Sequence, residues 1–163
     1  MHPAAAVPLA PPLRYAIDRD AGFLVVELLS IADSPALLEA LREIRGDPRF
    51  TASLDVCIDC NTLRAIPSCD EVKELARICV AFPRSTGARH WALIATWRPL
   101  YDAARFFATA VSAPRVTLRV FHAWSDARMW LATTRATPPD GAPWIGPSRA
   151  LNELMSRSTE NRR

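Results

Sequence analysis

The feature that most constrains this chain is a regular alternation of strand-sized apolar runs with amphipathic helical segments. Five runs of six or seven residues have the alternating or continuous apolar pattern of β-strands: residues 13–18, 23–29, 54–60, 90–96 and 116–121. A helical stripe follows each run from the second onward, and the order is β-β-α-β-α-β-α-β-α. A helix between successive strands predicts parallel pairing through right-handed crossovers. We therefore expect an α/β domain with a mixed, mostly parallel five-stranded sheet that is singly wound.

Local signals define the first hairpin and the first helix. Gly22 can adopt a positive φ, so residues 18–22 predict a tight turn that pairs the first two runs. Asp33 or Ser34 is expected to cap the first helix, and Gly46 to end it. The apolar stripe of that helix is predicted to contain Leu37, Leu38, Leu41 and Ile44.

The second helix carries a stronger start signal. Ser68 and Glu71 have the spacing of a capping box, in which each residue hydrogen-bonds the other's backbone N–H. Pro83 is predicted to end this helix because proline lacks an N–H donor. The buried stripe between them is Val72, Leu75, Cys79 and Phe82.

Length and composition describe an ordinary globular chain. Its 163 residues include 50% apolar and 23% charged side chains, with a net charge of +3. We expect a flexible Pro/Ala arm over residues 1–12, an α/β domain over 13–132, and a linker with a short helix beginning near Ser148 over 133–163. The amino terminus has no basic region before its apolar residues, so it does not resemble a signal peptide, and a cytoplasmic location is expected.

Charge and hydropathy exclude two classes of partner. The basic residues are scattered among acidic ones rather than clustered, so nucleic-acid binding is not expected. No apolar run approaches the roughly 20 residues that a membrane-spanning helix needs, so no membrane span is expected.

The cysteines do not have the pattern of a metal or redox site. Cys57 and Cys60 form a CxxC, but within a strand their side chains point to opposite faces. No second pair of ligands has zinc spacing. We expect the cysteines, with Cys69 and Cys79, to act as small apolar residues, and we expect no metal and no cofactor.

Polar residues collect at the predicted carboxyl ends of the strands. That edge of an open α/β sheet is where ligands bind. The candidates for a ligand or partner site there are Asp59, Asn61, Thr62, Thr96, Trp97, His122 and Trp124. The alternative is that Asp59 and Asn61 only hydrogen-bond the loop backbone, as such residues often do.

No motif of a common enzyme class is present. The chain lacks the nucleophile elbow of hydrolases, the metalloprotease helix motif and the glycine-rich phosphate loops. His90 and His122 lie on different predicted strands, with no carboxylate at motif spacing. No catalytic residue is predicted.

The order of elements and three segments together resemble the STAS-like superfamily, which includes the SpoIIAA-type anti-sigma-factor antagonists and shares its fold with CRAL-TRIO lipid-binding domains. The segments are YAIDRDAGFLVVEL, DPRFTASLDVCIDCNTL and VFHAWSDARMWL, within residues 13–131. The resemblance to the small bacterial SpoIIAA-like proteins implies a superhelix of βα units with helices mainly on one face of the sheet.

In the antagonists a phosphorylatable serine follows the third strand, and the resemblance places Ser68 at that position. The flanking residues are Pro67 and Asp70, where the family has Asp and Gly. Ser68 is therefore a phosphorylation candidate, and capping of the second helix is the alternative role.

Three function classes follow. The leading interpretation is a non-enzymatic STAS-like module for protein–protein interaction or regulation, with a protein partner or a homodimer. The alternative is a small-ligand or lipid-binding protein of CRAL-TRIO type, and the third is an uncharacterised enzyme. A deep pocket would favour the second or third class, and an exposed apolar surface the first.

The carboxyl-terminal segment is predicted to dock. A singly wound sheet leaves one face without helices, and the face bearing Cys57 and Phe121 is only half polar. Trp144, Ile145, Leu151, Leu154 and Met155 could cover it in the same chain or in a second copy. The competing interpretation is a disordered tail that contacts nothing.

Overall fold

The secondary structure follows the order that the sequence predicts. The computed structural model describes residues 10–51, 53–63, 65–86, 90–111 and 116–134. The strands are β1 (Leu13–Asp18), β2 (Phe23–Leu28), β3 (Asp55–Asp59), β4 (His90–Ile94) and β5 (Thr117–Phe121). The helices are α1 (Ser34–Gly46), α2 (Cys69–Thr86), α3 (Arg98–Ala110) and α4 (Trp124–Thr134).

The five strands form one sheet in the order β1-β2-β3-β4-β5. β1 and β2 are antiparallel, and every later pair of neighbours is parallel. The predicted α/β class with a mixed, mostly parallel five-stranded sheet is therefore confirmed. None of the helices among the described residues is both long and apolar enough to cross a membrane.

The predicted first hairpin is present, with Asp18 opposite Phe23. Gly22 has φ of 71°, a conformation that residues with a side chain adopt only at a cost. The Asp18 carboxylate accepts a hydrogen bond of 2.9 Å from the Ala21 N–H, which closes the turn. Because register is fixed by this turn, Leu13, Tyr15 and Ile17 all face the same side as Leu24 and Val26.

One face of the sheet is covered by α1, α2 and α3, and we call it the helix-covered face. Its side chains form a continuous apolar core, in which Leu24 and Ile44 are fully buried. Most members of the stripes predicted from sequence lie here, including Leu100, Ala104, Phe107 and Val111 of the third helical segment. The predicted burial of Phe82 lies outside the described side chains. The helices lie mainly on this face because each right-handed crossover returns the chain to the same side.

The opposite face carries α4 and a different set of side chains, and we call it the acidic face. A second apolar cluster joins Phe23, Val25 and Cys57 to Ala127 and Leu131 of α4. Asp18, Glu27, Asp55 and Asp59 also lie on this face by strand alternation. They are the buried charged side chains of the described residues, at 7%, 7%, 3% and 4% exposure.

Two local predictions need correction. Pro83 does not end α2, which continues to Thr86. A proline removes one hydrogen bond but has a φ that a helix accepts, so the last turn can form around it. Leu38 is 36% exposed rather than part of the α1 stripe, whose place is taken by Ala40.

The first helix is capped by the first of the two candidates. The Asp33 carboxylate accepts a hydrogen bond of 3.0 Å from the Ala36 N–H. The helix predicted near Ser148 lies outside the described residues.

Candidate functional site

A chain of hydrogen bonds connects the loops at the carboxyl ends of β3 and β4. The Asp59 Oδ1 accepts from the backbone N–H of Asn61 at 2.9 Å and from its side-chain Nδ2 at 2.8 Å. The Asn61 Oδ1 in turn accepts from the backbone N–H of Thr96 at 2.7 Å and from its hydroxyl at 2.8 Å. Asp59, Asn61 and Thr96, all predicted at this edge, are thus held together by hydrogen bonds. The Asp59 carboxylate fixes the loop after β3, and the Asn61 side chain fixes the loop after β4.

Trp124 joins the same network from the start of α4. Its indole Nε1 donates to the second carboxylate oxygen of Asp59 at 3.4 Å. Asp59 is 4% exposed, so its charge is stabilised by donors rather than by bulk water. The carboxylate therefore connects two loops with a helix on the acidic face.

Thr62 and His122 make different contacts. The Thr62 hydroxyl donates to the Leu28 carbonyl at 2.9 Å and ties the loop after β3 to the end of β2. The His122 ring stacks on Tyr101 of α3, with ring centroids 3.9 Å apart and planes 13° from parallel. Sequence reasoning missed Tyr101, whose alignment with His122 depends on how α3 packs beside β5.

Two large apolar side chains are exposed at this edge. Trp97, directly after Thr96, is 59% exposed, and Ile66, in the loop after β3, is 46% exposed. Trp97 is the residue before α3, and its carbonyl accepts the Tyr101 N–H at 2.9 Å. Trp97 is therefore presented from a backbone that hydrogen bonds hold in place.

The capping box at Ser68 is present as predicted. The Ser68 N–H and hydroxyl donate to the Glu71 carboxylate at 2.7 and 2.8 Å, and the Glu71 N–H donates to the Ser68 Oγ at 3.3 Å. The hydrogen bond from the Ser68 backbone N–H is the main cause of the lowered pKa of Glu71, and the bond from the Ser68 hydroxyl adds to it. Ser68 is exposed, and its phosphorylation stays a prediction.

The CxxC thiols lie on opposite sides of the sheet. Cys57 belongs to the apolar cluster of the acidic face, and Cys60 to the core of the helix-covered face. Burial, followed by the neighbouring Asp59 charge, raises the pKa of Cys60 to about 12. Among the described residues no group of three or more His, Cys, Asp or Glu side chains could hold a metal ion.

A contact that the sequence did not predict lies at the other end of the strands. The His90 Nδ1 is 3.1 Å from the Asp55 Oδ1, although 35 positions separate the two residues. The rings of His90 and Trp130 are nearly perpendicular, with centroids 5.8 Å apart and planes at 88°. The sequence did indicate that Asp55 and His90 lie near the starts of two predicted strands. Their contact, however, depends on the register between β3 and β4, which the sequence alone does not give.

A small apolar cavity of about 70 Å³ lies within the core of the helix-covered face. Its walls include Leu24 and Ile58 of the sheet, Leu41 of α1 and Leu75 of α2. Ile58 of the central strand β3 lines this cavity and is only partly buried.

Comparison of the chain with protein-family models, with curated proteins and with solved structures finds no match.

Proposed function

We propose that this chain is a non-enzymatic STAS-like module that binds a protein partner through the carboxyl edge of its sheet. The observation that carries the proposal is Trp97, which is 59% exposed on a loop held by hydrogen bonds. Tryptophan is enriched among the residues that dominate binding energy at protein interfaces.

The loop that carries Trp97 favours binding because it is ordered before a partner arrives. Thr96 is fixed by its two hydrogen bonds to Asn61, and the residues after Trp97 enter α3 directly. A preorganised loop loses little conformational freedom on association, so more of the contact energy is available as affinity. Ile66, in the loop after β3, is a second exposed apolar side chain among the loops that follow the strands.

The polar groups at this edge support a structural rather than a catalytic role. Both carboxylate oxygens of Asp59 accept hydrogen bonds, from Asn61 and from Trp124. The Thr96 hydroxyl donates to Asn61. A general base or nucleophile needs an atom within reach of a substrate, whereas these atoms are directed at one another.

Phosphorylation of Ser68 is a separate regulatory hypothesis that follows from the family resemblance. A phosphate at the amino terminus of α2 would be stabilised by the helix dipole. It would also have to displace the Glu71 carboxylate and would lie beside Asp70. For this reason the proposed binding role does not depend on phosphorylation.

The second candidate function, binding of a small apolar ligand, is favoured by the cavity under α1 and α2. The cavity of about 70 Å³ is roughly half the size of an engineered cavity of about 150 Å³ that admits benzene. A lipid would therefore require α1 and α2 to separate further. Native mass spectrometry of the purified protein, with organic extraction, tests for such a ligand.

Comparative co-purification tests the interaction function. Tagged wild type, Trp97→Ala and Met129→Ala are expressed in the source cells and purified under identical conditions. Met129 is a matched control because it is 62% exposed on α4, more than one helical turn after Trp124. We expect a stoichiometric protein that is retained by wild type and Met129→Ala and lost by Trp97→Ala. Equal recovery by all three variants would contradict the proposal.

A further inference from the structure

On the acidic face, apolar side chains lie between two groups of buried carboxylates, which is not the pattern of a solvent-exposed sheet surface. In register across β2 and β3, Phe23 lies beside Asp55 at one end, and Glu27 lies beside Asp59 at the other. Between these rows lies an apolar row of Val25, Cys57 and Ala92. Carboxylates thus occupy both ends of a central apolar strip.

This face is buried more deeply than α4 alone accounts for. Phe23 and Val25 of β2 are 3% and 2% exposed. α4, the one helix of the described residues on this face, packs chiefly on β4 and β5. β2 is two strand positions from β4, which corresponds to roughly 10 Å across the sheet. A further part of the chain is therefore needed over β2 and β3, whereas Arg14 of β1, on the same face, is exposed.

We propose that residues 135–163 of the same chain cover the acidic face and bind to it through an apolar and basic surface. The end of α4 gives this segment the right starting point. Trp124 begins the helix near Asp59, and Trp130 lies beside His90 at the opposite end of the strands. The chain thus leaves α4 on the acidic face, at the end where Asp55 lies.

Charge and hydropathy of the segment complement the face. Its arginines are Arg135, Arg149, Arg157, Arg162 and Arg163, against the three acidic residues Asp140, Glu153 and Glu160. Arg14 already lies 3.6 Å from Glu27 and His90 lies 3.1 Å from Asp55, so this face accepts cations beside its buried carboxylates, and the arginines of the segment are of the same chemistry. The segment also has apolar side chains for the central strip, at Trp144, Ile145, Leu151, Leu154 and Met155.

The length of the segment is sufficient for this path. The strip between the two carboxylate rows is about 13 Å long, from four residue steps of ~3.3 Å, and three strand spacings span about 14 Å. Residues 135–163 are long enough for both distances, since even a helix advances ~1.5 Å per residue. The whole interaction can therefore form within one chain.

Cys57 is a built-in reporter because it lies in the middle of the acidic face at 3% exposure. The full-length protein is alkylated with iodoacetamide under native conditions, and tandem mass spectrometry locates the label. In the wild type we expect rapid labelling of the exposed Cys69 and protection of Cys57. Cys60 and Cys79, in the core of the helix-covered face, report whether the fold is intact.

The test variant is the double substitution Trp144→Asp with Leu154→Asp. It replaces two apolar side chains of the segment by negative charges, which an acidic and apolar surface would repel. We expect its rate of Cys57 labelling to rise roughly tenfold or more, as for a locally opened region, with Cys60 and Cys79 still protected. The control, Ser148→Asp with Ser156→Asp, adds the same charge at polar positions and should label like wild type. Should the test variant expose all thiols, Leu154→Ala replaces it, with a smaller rise confined to Cys57.

Three results would overturn the proposal. The first is rapid labelling of Cys57 in the wild type, which would mean that the face is open or awaits another protein. The second is an unchanged Cys57 rate in the test variant. The third is a dimer, detected by light scattering, together with a loss of Cys57 protection when the protein is diluted. That result would identify a second copy of the chain as the occupant of the face.

Discussion

The two faces of this sheet are built on different principles. The helix-covered face is continuously apolar, and α1, α2 and α3 bury it with side chains such as Leu24 and Ile44. The acidic face combines the apolar strip around Cys57 with four buried carboxylates. Apolar packing tolerates many partners of suitable volume, whereas a buried charge requires a donor at a defined place. Both faces therefore contribute apolar burial, and the acidic face adds positions at which the geometry of charged groups is fixed.

Substitution of adjacent residues on β2 compares the two faces directly and has the largest expected effect. Leu24→Ala leaves a cavity under the helices and should lower the free energy of unfolding by about 3–5 kcal/mol. Val25→Ala, on the acidic face, removes about two buried methylene equivalents and should cost roughly 1.6 kcal/mol. Urea unfolding monitored by circular dichroism measures both. A negligible effect of Val25→Ala would mean that the acidic face is not packed.

The next effect concerns the carboxylate that links the acidic face to the carboxyl edge. Asp59→Ala deprives the Asn61 amide and the Trp124 indole of their acceptor, and it should cost about 1–3 kcal/mol. Asp59→Asn keeps a carbonyl acceptor and should cost less. Tryptophan fluorescence should change in Asp59→Ala, and equal stability of the two variants would show that the carboxylate orders nothing.

A smaller effect is expected outside both faces, at the start of α2. Ser68→Ala removes the acceptor for the Glu71 N–H and should lower stability by about 0.5–2 kcal/mol. Ser68→Asp should be nearly neutral, because aspartate also caps helices. Thermal denaturation of the two variants checks this order, and an unchanged Ser68→Ala would mean that the cap does not stabilise the helix.

The smallest effect depends on pH and lies at the end of α1. Hydrogen bonds from the Arg49 side chain and backbone hold the pKa of Asp47 well below its usual range. A lowered folded-state pKa stabilises the protein above the unfolded value of about 3.9, and this contribution is lost as pH falls below it. Asp47→Asn should therefore be less stable than wild type at pH 7, and the difference should shrink in acid. A pH-independent difference would contradict this assignment.

The elements with strong local signals were predictable from the sequence. The turn at Gly22, the stripe of α3 and the capping box at Ser68 each depend on residues close together along the chain. Pro83 was misleading because a single missing donor is tolerated when the surrounding helix is otherwise favourable. Local chemistry therefore predicted element order better than element ends.

The candidate site was predicted less completely, since it depends on contacts between distant residues. Strand ends indicated that Asp59, Asn61 and Thr96 would meet, because the carboxyl ends of parallel strands share an edge. The pairing of Asp55 with His90 depends on register, and alternation alone did not show that the carboxylates would be buried. A polar residue in a strand pattern is normally read as exposed.

The most direct test of the central claim, that the carboxyl edge binds a protein through Trp97, is the affinity of the captured partner. Biolayer interferometry compares immobilised wild type, Trp97→Ala and Met129→Ala at equal density. We predict that Trp97→Ala raises the Kd roughly 30-fold or more, since hot-spot residues contribute ~2 kcal/mol or more, and that Met129→Ala leaves it unchanged. The same Kd for all three proteins would contradict the account.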